Sequence, residues 1–141
     1  MRTTVVSLLA NDTVLKADPY NLTEAGVLAG DVDTPVVRPF IQVRFGTTER
    51  GVGVPGASHD RRLMTVWLHD IADQNGRGDY TRIDGMLRRV KAIFYDVAGV
   101  EDPDGSWISI IQWVSDSDDL SDTGHGTITR NATFYVGASG I

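Results

Sequence analysis

Residues 51–56 read GVGVPG, which matches the glycine pattern G-x-G-x-x-G that holds the pyrophosphate of a dinucleotide in many proteins. That pattern works between a strand and a helix, because the helix N-terminus supplies the N–H groups that bind phosphate. Here Gly56 is followed by ASHDRR and then by a predicted strand, and Pro55 lacks a backbone donor. The context favours a flexible loop between two strands, with a nucleotide-binding enzyme kept as the less favoured alternative.

The histidines are the next residues that could do chemistry. His59, His69 and His125 are the only three, and their spacing is not that of a helical or finger-type metal site. His69 follows a strand pattern, so we expect a half-exposed residue of a sheet. The histidines therefore predict no metal site.

An acidic stretch that starts at Asp116, DSDDLSD, begins like a calcium loop, with acids at its first and third positions. The match then fails, because Leu120 occupies the fifth position and Thr127 stands where a bidentate glutamate is needed. We expect a solvated acidic loop, or one that meets a basic partner surface. No serine-nucleophile or phosphate-loop lysine motif is found, so we predict no enzyme, no metal and no cofactor.

Composition limits the class of protein. A chain of 141 residues favours one domain, 1–141, and the absence of cysteine excludes disulfides and thiolate metal sites. The apolar stretch at residues 5–10 is too short for a secretory core or a membrane span, so we expect no membrane association. A net charge of -6 argues against a surface that grips nucleic acid tightly.

Hydrophobic periodicity predicts the elements that position these residues. We expect a short N-terminal helix, a connector over residues 18–38, a hairpin of strands 38–45 and 62–71 around a loop at 46–60, a central helix, and a second hairpin of strands 106–114 and 127–136. The predicted fold is therefore α+β, with a single mostly antiparallel sheet of about four strands (two hairpins) packed against the central helix.

Two faces are predicted to be apolar. The central helix, with Asp79 as its cap, and the last strand each carry regularly spaced apolar residues. Those of the helix are Tyr80, Ile83, Leu87, Val90, Phe94 and Val97, and those of the strand are Ile128, Ala132, Phe134 and Val136. The tryptophans, Trp67, Trp107 and Trp113, are predicted to pack in the core or on a sheet face rather than to act as contact anchors.

Several sequence words resemble one family. The run RPFIQVRFGTTERGVG, then LMTVWLHD, then GDYTRIDGMLRRV, and a last strand of the form T-R-x-A-x-F-Y-V after an acidic S-D-x-x-D loop, resemble the tail terminator proteins of long-tailed, siphovirus-type bacteriophages, especially those of actinobacterial phages. The resemblance covers residues 36–136 and depends on the order of short words, not on a catalytic signature.

The resemblance implies a structural virion protein at the tail-neck junction, assembled in the host cytoplasm. Such proteins form a ring, usually a homohexamer, on the head-proximal end of the tail tube. The ring ends tube polymerisation and joins the tail to the neck, so the implied partners are further copies of the chain, the tail tube protein and a neck or head-completion protein. Six copies carry roughly -36 in formal charge, which would let DNA pass through without sequence-specific binding. A different head-tail connector component, such as a head-completion or stopper protein, stays open as the alternative.

Charged residues near the two predicted hairpin loops are candidates for the subunit or tube interface. The arginines are Arg44, Arg50, Arg61 and Arg62, and the acids are Asp116, Asp118, Asp119 and Asp122. One hypothesis is that the arginine loop of one subunit contacts the acidic loop of its neighbour; the other is that both loops are solvated.

Overall fold

A computed structural model describes residues 1–30, 37–49 and 60–139 of the chain. The helices are α1 (Arg2–Ala10), α2 (Thr13–Lys16) and α3 (Thr81–Tyr95), and a 3-10 turn spans Glu24–Gly26. The strands are β1 (Val27–Leu28), β2 (Phe40–Glu49), β3 (Asp60–Ile71), β4 (Ala98–Glu101), β5 (Trp107–Asp116), β6 (Leu120–Asp122) and β7 (Thr127–Ser139).

Within the described residues the strands form one curled sheet in the order β1-β2-β3-β7-β5-β4, and β6 pairs with β7 beyond the end of β5. Only the β1–β2 pair is parallel. The sheet resembles half of a barrel, and the described part of the fold is mixed α/β, mostly β, with three short helices. The prediction of a four-strand sheet on a central helix is therefore wrong. Strands of two to four residues, such as β1, β4 and β6, are too short to produce a readable alternation.

The long elements were predicted correctly in kind. β2 and β3 pair antiparallel, with Ile41 opposite Leu68, and α3 buries the apolar face expected of it. The prediction that Asp79 caps α3 is wrong, because Tyr80 is the N-cap and makes no side-chain capping hydrogen bond; Asp79 lies one residue earlier and accepts a hydrogen bond from the backbone N–H of Thr81 (2.9 Å). β7 buries the four predicted residues Ile128, Ala132, Phe134 and Val136.

Two boundary predictions need correction. The connector at 18–38 contains regular structure, namely the 3-10 turn and β1. The loop at 46–60 is shorter than predicted, because β2 continues to Glu49 and β3 begins at Asp60, with an irregularity in pairing between Phe45 and Thr48. The GVGVPG segment and Arg50 lie outside the described residues.

The core lies between the helices and one face of the sheet. α3 lies across β3, β7 and β5, and Phe94 of the helix meets Phe134 of β7 edge to face, with ring centroids 5.1 Å apart. α1 contributes Val5 and Leu9, both fully buried. Burying these side chains supplies the main stabilising free energy of the domain.

Ion pairs attach the N-terminal segments to this core. Asp12 accepts a hydrogen bond from the first turn of α2 and binds the Arg89 guanidinium through both of its oxygens (3.0 and 2.6 Å). Asp102 is buried and accepts hydrogen bonds from the Thr4 N–H (2.8 Å), while the Met1 ammonium lies 2.6 Å away. Such charge-assisted contacts hold α2 against α3, and the start of α1 against the residue that follows β4.

The opposite face of the sheet has no helix among the described elements. It is formed by polar and aromatic residues of β2, β3 and β7, including Gln42, Trp67, Thr129 and Tyr135. All three tryptophans lie on strands, and Trp107 and Trp113 are 42% and 51% exposed, so these two lie on a sheet face and not in the core. No described helix is long and apolar enough to cross a membrane.

Candidate functional site

The predicted interface arginines lie on the β2–β3 hairpin. Arg61 forms an ion pair with Glu49 (2.7 Å), and Arg62 donates a hydrogen bond to the Gly46 carbonyl (3.2 Å). Arg44 is exposed on the uncovered face of β2. Arg50 lies outside the described residues, so three of the four predicted arginines can be placed.

The predicted interface acids lie between the end of β5 and the end of β6. The first of them, Asp116, pairs with Lys91 of α3 (2.7 Å) and accepts a hydrogen bond from the Trp113 indole (2.9 Å). Asp119 is 3.7 Å from the Arg130 guanidinium, whereas Asp118 is exposed on the loop between the strands. The loop is therefore acidic, but part of its charge is already compensated within the chain.

Asp122 has a different setting. Its carboxylate lies 2.9 Å from Nδ1 of His125 and also accepts a hydrogen bond from the His125 backbone N–H (3.1 Å). Burial acts to raise the pKa of Asp122, but the hydrogen bonds from His125 outweigh it and hold that pKa below its ordinary value. The β6–β7 turn thus holds a carboxylate and an imidazole side by side.

His69 faces this turn from near the C-terminal end of β3. It lies opposite Phe40 in β2 and opposite Thr129 in β7, and its ring stacks on Phe40 at 4.3 Å between centroids, with the rings 7° from parallel. Its centroid is 5.0 Å from that of His125. Two histidines far apart in the sequence therefore meet, because the register of β7 against β3 brings the β6–β7 turn over the sheet.

Both ring nitrogens of His69 are hydrogen bonded. Nε2 is 3.0 Å from Oε1 of Gln42, and Nδ1 is 2.8 Å from the Thr127 hydroxyl. An amide oxygen only accepts, so Nε2 carries the proton and Nδ1 accepts from the hydroxyl. Burial lowers the pKa of His69 to about 4, with the nearby His125 and Arg38 adding to the effect. His69 is therefore a neutral imidazole at pH 7.

These residues surround a small cavity of about 140 Å³. It is lined by Gln42, Arg44, Trp67, His69, Asp122 and His125. The structure thus brings one predicted arginine, Arg44, and one predicted acid, Asp122, to the same cavity of a single chain.

The prediction that His69 is half-exposed is wrong: only 1% of it is accessible to solvent. The β6–β7 turn covers His69 near the end of β3, and the residue pattern of β3 alone does not reveal this turn. Spacing along the chain likewise gave no indication of the cluster formed by His69, Asp122 and His125, whose ligand atoms all lie within 4.8 Å of one another. Only the pairing of the two predicted hairpins through β7 could have indicated it.

Two wider grooves lie on the helical side. One, of about 600 Å³, lies beside Tyr20 and Arg82, and the other, of about 510 Å³, lies between α1 and α3. Arg82 in the first groove is paired with Asp70, and Arg89 in the second is paired with Asp12. Neither groove gathers groups suited to catalysis as the histidine cluster does.

No protein-family model matches the chain, and no curated protein matches it.

Proposed function

We propose that this chain is the subunit of a ring that closes the head-proximal end of a bacteriophage tail tube, ends tube polymerisation and joins the tail to the neck. The proposal starts from the family resemblance over residues 36–136. It has no catalytic component. In a head-to-tail ring, one surface of each subunit contacts a different surface of the next subunit. The exposed surface of the sheet is therefore the part of the structure that bears on the proposal.

The observation that carries the proposal is the exposed apolar side of β5. Trp113 and Val114, in the part of the strand beyond β4, are 51% and 45% exposed, and Trp107 and Ile110, which lie opposite β4, are 42% and 52% exposed. Over residues 111–116, β5 has β7 on one side and no described strand on the other. Covering such side chains contributes about 1 kcal/mol each when half of their surface is removed from water. An unpaired apolar edge of this kind suits a contact with a neighbouring subunit.

A second edge lies at the other end of the sheet. β1 pairs only with Ile41 and Gln42, so residues 43–49 of β2 have β3 on one side and no strand of the described part of the chain on the other. The β2–β3 side carries Arg44, Arg61 and Arg62, whereas the β5–β6 side carries the acidic loop. A head-to-tail ring would bring these oppositely charged edges together.

The position of the protein on the phage particle tests the proposed function. The measurement is immunogold electron microscopy of particles of the phage that encodes the chain, with an antibody raised against the purified protein. We expect label at the junction between the tail tube and the neck. Label only above this junction, against the portal, would favour a head-completion or stopper protein instead, and particles without label would exclude a virion role.

Charge reversal tests the loop contact that the ring would use. We expect Arg50→Glu and Asp118→Arg each to weaken capping of purified tail tubes, and the double variant to restore part of it. Asp96→Arg, which changes an exposed acid at the end of α3, is the matched control and is expected to cap normally. Unimpaired capping by both single variants would refute the loop contact without refuting the ring.

The nucleotide-binding alternative has a separate test. The elements on either side of residues 50–59 are the strands β2 and β3, and they pair directly with each other, whereas a dinucleotide loop leads into a helix. Calorimetry with millimolar ATP and NAD is expected to give no heat of binding. A saturable signal that disappears in Gly53→Val would favour the alternative.

A further inference from the structure

We propose that His69, Asp122 and His125 form a binding site for a single divalent transition metal ion on the uncovered face of the sheet. The donor set contains two imidazole nitrogens and one carboxylate oxygen, and these atoms lie within 4.8 Å of one another. Imidazole donors favour Zn²⁺, Co²⁺ and Ni²⁺, whereas Mg²⁺ and Ca²⁺ prefer sites made of oxygen atoms alone. The site goes beyond the proposed ring function and does not depend on it.

His69 is already prepared as a ligand. Gln42 accepts the Nε2 proton (3.0 Å), which fixes the tautomer and leaves the lone pair on Nδ1. This is the arrangement of a metal-bound histidine, whose other nitrogen donates to a polar partner. Stacking on Phe40 already holds the His69 ring in the folded chain, so metal binding loses no further conformational entropy of this side chain. A metal would take the place of the hydroxyl proton that Thr127 now offers to Nδ1 (2.8 Å).

The β6–β7 turn supplies the other two ligands. Asp122 and His125 are three residues apart, half-buried, and already in contact at 2.9 Å. Arg38 donates to the His125 carbonyl (3.1 Å) and so holds the turn against the sheet. The pKa of Asp122 lies below its ordinary value, so its carboxylate is ionised at neutral pH, as a metal ligand must be.

The geometry requires a limited contraction. Ligands about 2.1 Å from a tetrahedral zinc ion are about 3.4 Å apart, so the widest ligand separation must shorten by about 1.4 Å from the 4.8 Å limit. His69 is fixed in the sheet, so this movement falls on the side chains of the turn. All three residues line the cavity of about 140 Å³, which has room for a water molecule as a further ligand. Arg44 lines the same cavity, and its positive charge opposes a cation and limits the affinity.

Isothermal titration calorimetry of the tag-free chain, after dialysis against EDTA, tests the site. We expect Zn²⁺, Co²⁺ and Ni²⁺ to bind with one equivalent per chain, and Mg²⁺ and Ca²⁺ not to bind. Asp122→Asn and His125→Gln are expected to weaken binding at least tenfold, because each removes one ligand. Asp118→Asn is the matched control, since it changes an exposed acid of the neighbouring β5–β6 loop, and its affinity is expected to equal that of the wild type.

A second measurement keeps the outcome independent of folding. Saturating Zn²⁺ is expected to raise the Tm of the wild type by about 5 °C or more, because the metal binds the folded state alone, and bound Co²⁺ is expected to show the visible absorption of a tetrahedral complex. Absence of one-equivalent binding by all three metals in the wild type would overturn the proposal. Binding that is unchanged in both ligand variants would place the metal elsewhere and would overturn it as well.

Discussion

Acidification tests the burial of His69. In the folded chain the pKa of His69 is about 4, whereas its ordinary value is 6.5. Protons therefore bind the unfolded chain more readily between these two values. The stabilising contribution of neutral His69 is fully present above pH 6.5 and is lost as the pH falls towards 4. At 1.36 kcal/mol per pH unit the whole difference amounts to about 3 kcal/mol, of which about 2 kcal/mol is lost by pH 5.

The groups around His69 determine the size of this effect. His125 and Asp122 face it from the β6–β7 turn, and Arg38 faces it from the segment before β2. His125 and Arg38 lower the pKa of His69 and Asp122 raises it, but burial has the largest effect on that pKa. His69→Gln removes the titrating ring and keeps the position polar, which makes it the appropriate comparison.

The assay is urea unfolding followed by tryptophan fluorescence, at pH 7.5, 5 and 4, with EDTA present. We expect the difference in free energy of unfolding between the wild type and His69→Gln to shrink by about 3 kcal/mol over this range, since only the wild type must keep His69 unprotonated. Parallel pH profiles for the two proteins would refute the reasoning. So would an NMR titration in which the His69 ring changes protonation near 6.5 in the folded state.

Three further predictions concern the core and the ion pairs. Phe134→Ala should lower the free energy of unfolding by about 3–5 kcal/mol in urea, because it leaves a cavity against Phe94; a loss below about 1 kcal/mol would contradict the described packing. Asp12→Asn should cost about 1 kcal/mol in the same assay, since it removes the charge opposite the partly exposed Arg89 but keeps a helix-capping oxygen, and unchanged stability would show that the pair contributes nothing. Burial opposes ionisation of Asp102, but hydrogen bonds from the N-terminal ammonium group hold its pKa well below 3.8. Its stabilising contribution is therefore present above pH 4 and is lost as the pH falls below it. The Tm of the wild type should fall more steeply between pH 4 and 2 than that of Asp102→Asn, and equal slopes would contradict this.

The long elements were predictable from the sequence because their patterns are local. The 3.6-residue period of α3 and the alternation along β3 and β7 arise from one buried face each, and each face is visible in a window of ten to fifteen residues. The number of strands was not predictable in this way. β1, β4 and β6 have two to four residues each, too few to show a period of their own, and each is defined by its pairing with the edge of a longer strand.

The histidine cluster shows the same limit. His69 has an unremarkable strand context, and His125 stands in a turn whose sequence, TGHG, indicates only a bend. Their contact depends on His69 lying opposite Thr129, which is a property of the β3–β7 register. Composition identifies the charged residues, but their partners within the chain, such as Lys91 for Asp116, depend on how α3 crosses the sheet.

The central position of β7 has a consequence for the order of folding. The β2–β3 hairpin can form soon after its residues are made, and so can the β4–β5 pair, yet only β7 connects the two. Until residues 127–139 arrive, β3 and β5 each present an unpaired edge to other chains, which is the situation that leads to aggregation. We therefore expect nascent chains halted before Thr127 to require a chaperone, and chains that include β7 to close the sheet without one.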